Sequence, residues 1–253
     1  MIDVNAHLGP FAFRRLAPQS AAGLLAQMDK YRIEQAWVAS AAAITYRNAQ
    51  AGNEDVAADV RAHRDRLMQF AVLNPAYAGW RDDLRICHEE FGCRGLRLFP
   101  RWHHYKLSDP ACLELVTLAA ARKLPVSIPL RVEDRRQQSW LVDVADVDQE
   151  EIATLIRAVP AAHFIIGGGS GFTGSSLWRT RFAPNYSIEI SLITAAIQNE
   201  LGQLVKTLGP ERLLFGTGMP FHYPDPAILK VEILDAPRAA KQMILRENAR
   251  RLL

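Results

Sequence analysis

Cysteine is scarce in this chain: Cys87, Cys93 and Cys112 are the only three in 253 residues. The number is odd and the spacing matches no zinc-ligand pattern, which argues against a disulfide-stapled scaffold and leaves reduced thiols, as in a cytosolic protein. An excess of one charge is also missing. Thirty Lys and Arg face 27 Asp and Glu, and a net +3 is too small to mark a nucleic-acid or membrane-surface protein. No window approaches ~18 uninterrupted apolar residues, so no membrane span is expected. The opening MIDVNAHLGP has no basic stretch leading into an apolar one, so no secretory leader is expected and the cytoplasm is the expected compartment. Glycine and proline, 15 and 14, are too few for collagen-like or low-complexity chain.

What is present is a regular alternation. With 49% hydrophobic residues, the chain can bury one sizeable core. Short β-branched or apolar runs predict strands at 2–6, 34–39, 67–72, 95–99, 126–130, 164–167, 186–190 and 213–216, and each is followed by a longer amphipathic stretch. Helix ends are legible at Ser20, at Asp109 with Pro110, over 149–159 before Pro160, and over 195–208 before Gly209. Eight β/α units without a linker predict an α/β protein with one domain over 1–253, a single (β/α)8 TIM-type barrel. An open dinucleotide-binding sheet would show a glycine-rich first turn, and GPFAFRR is not one. No cofactor is expected. The run Gly167, Gly168, Gly169, Ser170, Gly171 lacks a Walker lysine and reads either as a phosphate cradle or as close backbone packing.

The segments IDVNAHLGP, LPVSIP, HFIIGGGSG, RLLFGTGMP and ILRENARRLL, in this order over nearly the whole chain, resemble the amidohydrolase superfamily, and within it the group related to aminocarboxymuconate semialdehyde decarboxylase. The resemblance implies an active site at the C-terminal ends of the barrel strands. It also implies a metal held by a His-x-His on the first strand, histidines on the fifth and sixth, and an aspartate on the eighth. Those positions here are Asn5 and His7, Pro129, Gly168 and Gly218. One imidazole and one amide cannot supply the three or so protein ligands of a catalytic zinc site, so a metal-independent protein is expected.

Strand alternation then indicates what else points inward. Asp3, Asn5 and His7 would share a face, as would Gly95, Arg97 and Phe99, Ser127 with Arg131, and Ser187 with Glu189 and Ser191. An interior holding Asn5, His7, Arg97, Arg131 and Glu189 is too polar for packing alone. Either Arg97 and Glu189 neutralise each other, or they serve a ligand. The loop FPRWHHYKLSDP adds Arg101 and His103 in the most basic stretch of the chain, and PFHYPDP adds His222. Arg135 and Arg136 are expected to pair with neighbouring acids on the surface.

The expected function is an amidohydrolase-like, metal-independent hydrolase, or related acid/base enzyme, acting on a small carboxylate-bearing molecule. His7, Glu189 and Asn5 would do the chemistry, and Arg97, Arg101, Arg131, His103 and His222 would bind substrate. A non-catalytic barrel that binds a small acidic metabolite as a sensor or enzyme partner is the alternative, and a metal site rebuilt from His7, Glu189 and His103 or His222 is a third. No nucleic-acid or membrane partner is expected; a homo-oligomer is open.

Overall fold

The computed structural model describes residues 1–179, 181 and 183–252. Eight strands, β1 (Ile2–Leu8), β2 (Gln35–Ser40), β3 (Leu67–Val72), β4 (Gly95–Arg97), β5 (Val126–Pro129), β6 (Phe164–Gly167), β7 (Tyr186–Glu189) and β8 (Leu213–Leu214), pair in parallel in sequence order. Eight helices follow them in turn: α1 (Ala21–Tyr31), α2 (Ala49–Val60), α3 (Trp80–Glu89), α4 (Pro110–Ala121), α5 (Gln149–Ala158), α6 (Ser176–Arg179), α7 (Glu200–Leu208) and α8 (Pro224–Ile233). Val4 N donates to Phe215 O at 3.0 Å, Gly218 N to Asn5 O at 2.8 Å and His7 N to Met219 O at 2.8 Å, so β1 closes against β8 and its exit. The architecture is a single (β/α)8 barrel.

Local chemistry sets the helix starts. Ser20 Oγ accepts from Gly23 N at 3.3 Å to cap α1, and Asp148 caps α5 through Glu150 N. Asp109 does not cap α4; its carboxylate accepts from Lys106 N in the preceding turn, and Pro110 opens the helix. Helix α7 begins five residues later than the apolar pattern predicts. Asn199, with φ at 47°, is left-handed and cannot continue a helix, so 195–199 stay outside it.

Two apolar layers separate inside from outside. Ala6, Leu8, Val38, Leu96, Leu98, Val126 and Ile166 pack outward with the helices, whereas Ile2, Val4, Trp37, Phe70, Ile165 and Leu214 pack within the barrel. On β1 the register slips between Asp3 and Ala6. This bulge corrects the simple alternation: Val4 lies inside before it, Ala6 lies outside after it, and Asp3 does not share the face of Asn5 and His7. Asp3 instead accepts from Asn5 N, Thr217 N and Thr217 Oγ1, at 2.9, 3.0 and 2.5 Å, and staples β1 to the exit of β8.

Candidate active site at the barrel mouth

At the bulge, Arg97 hydrogen-bonds two carbonyls of β1. Its Nη2 donates to Val4 O at 2.9 Å, and its Nη1 donates to Ala6 O at 3.0 Å and lies 3.1 Å from His7 Nε2. Because a guanidinium only donates, His7 Nε2 is the acceptor and the ring is the neutral Nδ1–H tautomer. Burial first, then Arg97, push the His7 imidazole well below its ordinary pKa. Burial pulls Arg97 itself down to about 10, against the nearby negative charges of Asp3 and Glu189.

Glu189 does not pair directly with Arg97, so of the two expected alternatives the mutual salt bridge is not formed. Its Oε1 accepts from Ser191 N at 2.5 Å, and its Oε2 accepts from Ser191 Oγ at 2.8 Å and Asn5 Nδ2 at 3.0 Å. Burial raises its pKa, partly opposed by the Ser191 bonds. Gly167 on β6 and Gly216 after β8 wall it closely: a Cβ at either would come within 2.6 or 2.3 Å of a carboxylate oxygen. Part of the glycine run therefore serves close packing.

Above His7 lies a ring of aromatic side chains. Phe221 meets His7 edge-on at 5.1 Å, Phe11 meets Phe221 at 5.0 Å, and Trp102 meets Phe11 at 5.8 Å. His7, Arg97 and Glu189 are 5%, 0% and 1% exposed, so in this conformation solvent does not reach them. Arg14, which the sequence reading passed over, ties this cover down. Nη2 donates to Phe221 O at 2.8 Å, Nη1 donates to Gln137 Oε1 at 3.2 Å, and Nε lies 3.3 Å from buried Glu133, joining the loops after β1, β5 and β8.

The remaining expected ligand-binding residues are split: Arg101 and Arg131 line one small cavity with Phe99, Trp102 and Glu133, whereas His103 and His222 lie outside it. Arg131 lies 3.6 Å from Asp146, which Arg135 also approaches at 3.2 Å, and Arg101 donates to Glu151 at 2.5 Å. Arg97 and Arg131 therefore do not converge on one point. Arg136 pairs with Asp134 at 2.6 Å. His103 sits in the loop after β4, reaches Ala43 O at 3.0 Å and meets Phe99 edge-on at 6.3 Å. A Cβ at position 218 would lie 2.6 Å from His222 Cδ2, so the imidazole lies against the space a strand-eight side chain would take. Burial, then Arg14, push it down to about 4.

Lys230 on α8 was also missed, being one cation in the apolar run PAILKVEI. It is largely buried, donates to Ile190 O at 3.0 Å and to Ser191 O, and is pushed down to about 8 by burial, against the pull of Glu189.

A family model described as amidohydrolase matches residues 2–253. The chain belongs to the amidohydrolase family. No curated protein gives a significant match. Among solved structures, this amidohydrolase-family barrel is similar to 2,6-dihydroxybenzoate decarboxylase from Rhizobium, with 20% identity, a TM-score of 0.75, and 99% of this chain and 97% of that one covered. It is also similar to 5-carboxyvanillate decarboxylase from Sphingomonas paucimobilis, with 15% identity, a TM-score of 0.77 and coverage of 100% and 98%. A third similar structure is a dihydroxybenzoic acid decarboxylase from a Polaromonas species, with bound manganese and the inhibitor 2-nitroresorcinol; identity is 18%, the TM-score 0.73 and coverage 99% and 96%. At these identities the likeness is one of fold.

The family resemblance implies a metal, and the residues at its positions do not fit one. His7 Nε2, the donor atom that survives, already accepts from a cation. Among the described residues no three His, Cys, Asp or Glu side chains gather to hold an ion, and this removes the rebuilt site of His7, Glu189 and His103 or His222. A guanidinium stands beside the imidazole.

Buried neutral histidines give the fold an acid limit. Burial holds His163, whose Nε2 lies 3.0 Å from Ser187 Oγ, at about 4, as it does His222. The unfolded chain protonates these rings from about pH 6.5 downward while the native rings stay neutral to about 4, so native stability is lost as pH falls through that window. The raised carboxyls of Asp3, Glu133 and Glu189 oppose this, because their buried charge is relieved on protonation. The melting temperature of His163→Gln is expected to vary less between pH 6.5 and 4 than that of the parent. Parallel profiles would refute this account.

Proposed function

We propose that this amidohydrolase-family chain is a metal-independent enzyme that performs acid/base chemistry, hydrolysis in the first instance, on a small carboxylate-bearing molecule at the C-terminal mouth of its barrel. The observation that carries the reading is the position of His222, whose ring lies against the space of the missing strand-eight side chain, the place where the family resemblance puts the proton-accepting aspartate. A neutral imidazole there takes a proton from water or substrate without metal assistance. Asn5 and Glu189, bonded to each other at 3.0 Å, form the polar floor beneath, with His7 beside them. The arginines of the rim, Arg14, Arg101 and Arg131, suit an anionic substrate once their present acids are displaced. The similar decarboxylases are named for dihydroxybenzoate and carboxyvanillate, both carboxylates.

A specific observation favours a second reading, a non-catalytic barrel that binds a small acidic molecule: the polar centre is buried beneath Phe11, Phe99 and Phe221, with Glu189 held by Ser191 and Asn5 and Arg97 held by two carbonyls of β1. One experiment separates the two. Small carboxylates are screened for thermal stabilisation, and each binder is assayed for hydrolysis and for release of carbon dioxide, with and without chelator. Chelator-resistant turnover that falls by roughly 10²-fold in His222→Gln is the expected result. Binding without turnover would establish the second reading, and turnover abolished by the chelator would overturn metal independence.

A further inference from the structure

A second concavity lies outside the barrel axis on the same face. A groove of about 600 Å³ runs between the loops that follow β2, β3 and β4, lined by Tyr46, Arg47, Asn74, Tyr77, Trp102 and His104 among others. Three aromatic side chains border it. Tyr46 and Tyr77 are each 39% exposed, and Trp102 is shared: it packs on Phe11 and Phe13, at 5.8 and 6.0 Å, and also lines the groove. Large aromatic surface left in water around a concavity is the usual setting of a site for a flat ligand.

The charge of the groove has one sign. No Asp or Glu lines it, and Arg47 is exposed with no ion pair or hydrogen bond among the described residues. Arg101 and Arg131, the arginines that the sequence pointed to, already face Glu151 and Asp146. Asn74 spends its Oδ1 on Ala76 N at 3.0 Å, which leaves its amide N–H groups to donate. The walls are fixed before any ligand arrives, because buried His103 bonds Ala43 O and so ties the loop after β4 to the segment after β2. His104 follows with φ at 56°, a left-handed conformation uncommon outside glycine, which places it on the groove wall.

We infer that this groove is a binding site, separate from the barrel mouth, for a planar ring carrying one anionic group, the ring held among Tyr46, Tyr77 and Trp102 and the anion met by Arg47 and His104. The inference does not rest on the proposed chemistry: His103, expected from the sequence to bind substrate, lines the groove, but none of the residues that the proposed function uses does. A carboxylate and a phosphate would satisfy the same donors, so the test uses both.

Calorimetry on the full chain with 2-hydroxybenzoate, phenyl phosphate and neutral benzamide tests the assignment. At least one anion is expected to bind tenfold or more tighter than benzamide, and whichever does so identifies the group the site takes. Arg47→Ala and Tyr77→Ala, both at the surface, should each weaken that anion by tenfold or more, while His222→Gln should leave its affinity within twofold. Absence of binding by every probe at millimolar concentration, equal affinity for anion and benzamide, or loss of affinity in His222→Gln with Arg47→Ala unaffected would each overturn the site. The last result would place the anion in the mouth.

Discussion

Arg97→Met is expected to lower the unfolding free energy by about 4 kcal/mol or more, because it removes the buried charge-assisted hydrogen bonds to Val4 O, Ala6 O and His7 Nε2. The guanidinium is fully buried and bonds Val4 O, Ala6 O and His7 Nε2 together. Each buried acceptor left unpaired costs about 1–3 kcal/mol, and methionine restores only packing volume over Phe70. Removal of the positive charge also leaves Asp3 and Glu189 without the cation nearest the barrel centre. Against a total stability of about 5–15 kcal/mol this is a large fraction, so the variant could fail to fold at all. Arg97→Lys is therefore measured beside it. One ammonium reaches at most part of the three-acceptor set, and an intermediate loss is expected. Denaturant midpoints decide the matter: a change below about 1 kcal/mol in Arg97→Met would mean that the carbonyls find water or another donor, and that Arg97 does not hold the bulge.

The surroundings of Arg97 also show where the sequence is legible. The eight strands, their order and the closed barrel follow from β-branched runs alternating with amphipathic ones, and the inward face of Arg97 follows from alternation on a regular strand. The position of Asp3 does not, because alternation fails at a bulge. A one-residue slip in β1 leaves no mark in the pattern IDVNAHL. The same slip decides what Arg97 binds, since the carbonyls around it compete with Glu189 for the guanidinium and win by proximity. Partners of surface arginines were legible only where the acid is a near neighbour, as with Asp134 and Arg136. Those of Arg101 and Arg131, 50 and 15 residues away, depend on how the loops after β4 and β5 fold over one another. Arg14 was missed for the same reason: its three partners come from residues more than 100 positions distant.

Gly168→Ala should destabilise the chain by about 3 kcal/mol, the second large effect. Gly168 has φ at 63°, where an L side chain costs about 1–2 kcal/mol, and a Cβ there would fall 2.2 Å from Arg131 O and 3.0 Å from Pro129 Cβ. The oxygen is main chain, so relief requires the end of β5 to move, and overpacking of this kind adds about 1–3 kcal/mol. The consequence bears on the proposed absence of a metal site. Position 168 is where the resemblance puts the strand-six histidine, and any side chain at 168 begins with this Cβ. Gly168→His therefore meets the same clash before its imidazole can reach the barrel axis, and the strand-six ligand cannot be regained by one substitution. Pro129 on the neighbouring strand and the guanidinium on His7 support the same proposal, that the chain works without the family's ligand set. Chemical unfolding of Gly168→Ala checks the premise. A loss under about 0.5 kcal/mol would show that β5 yields easily at Arg131, and that a metal-binding arrangement at strand six is sterically within reach.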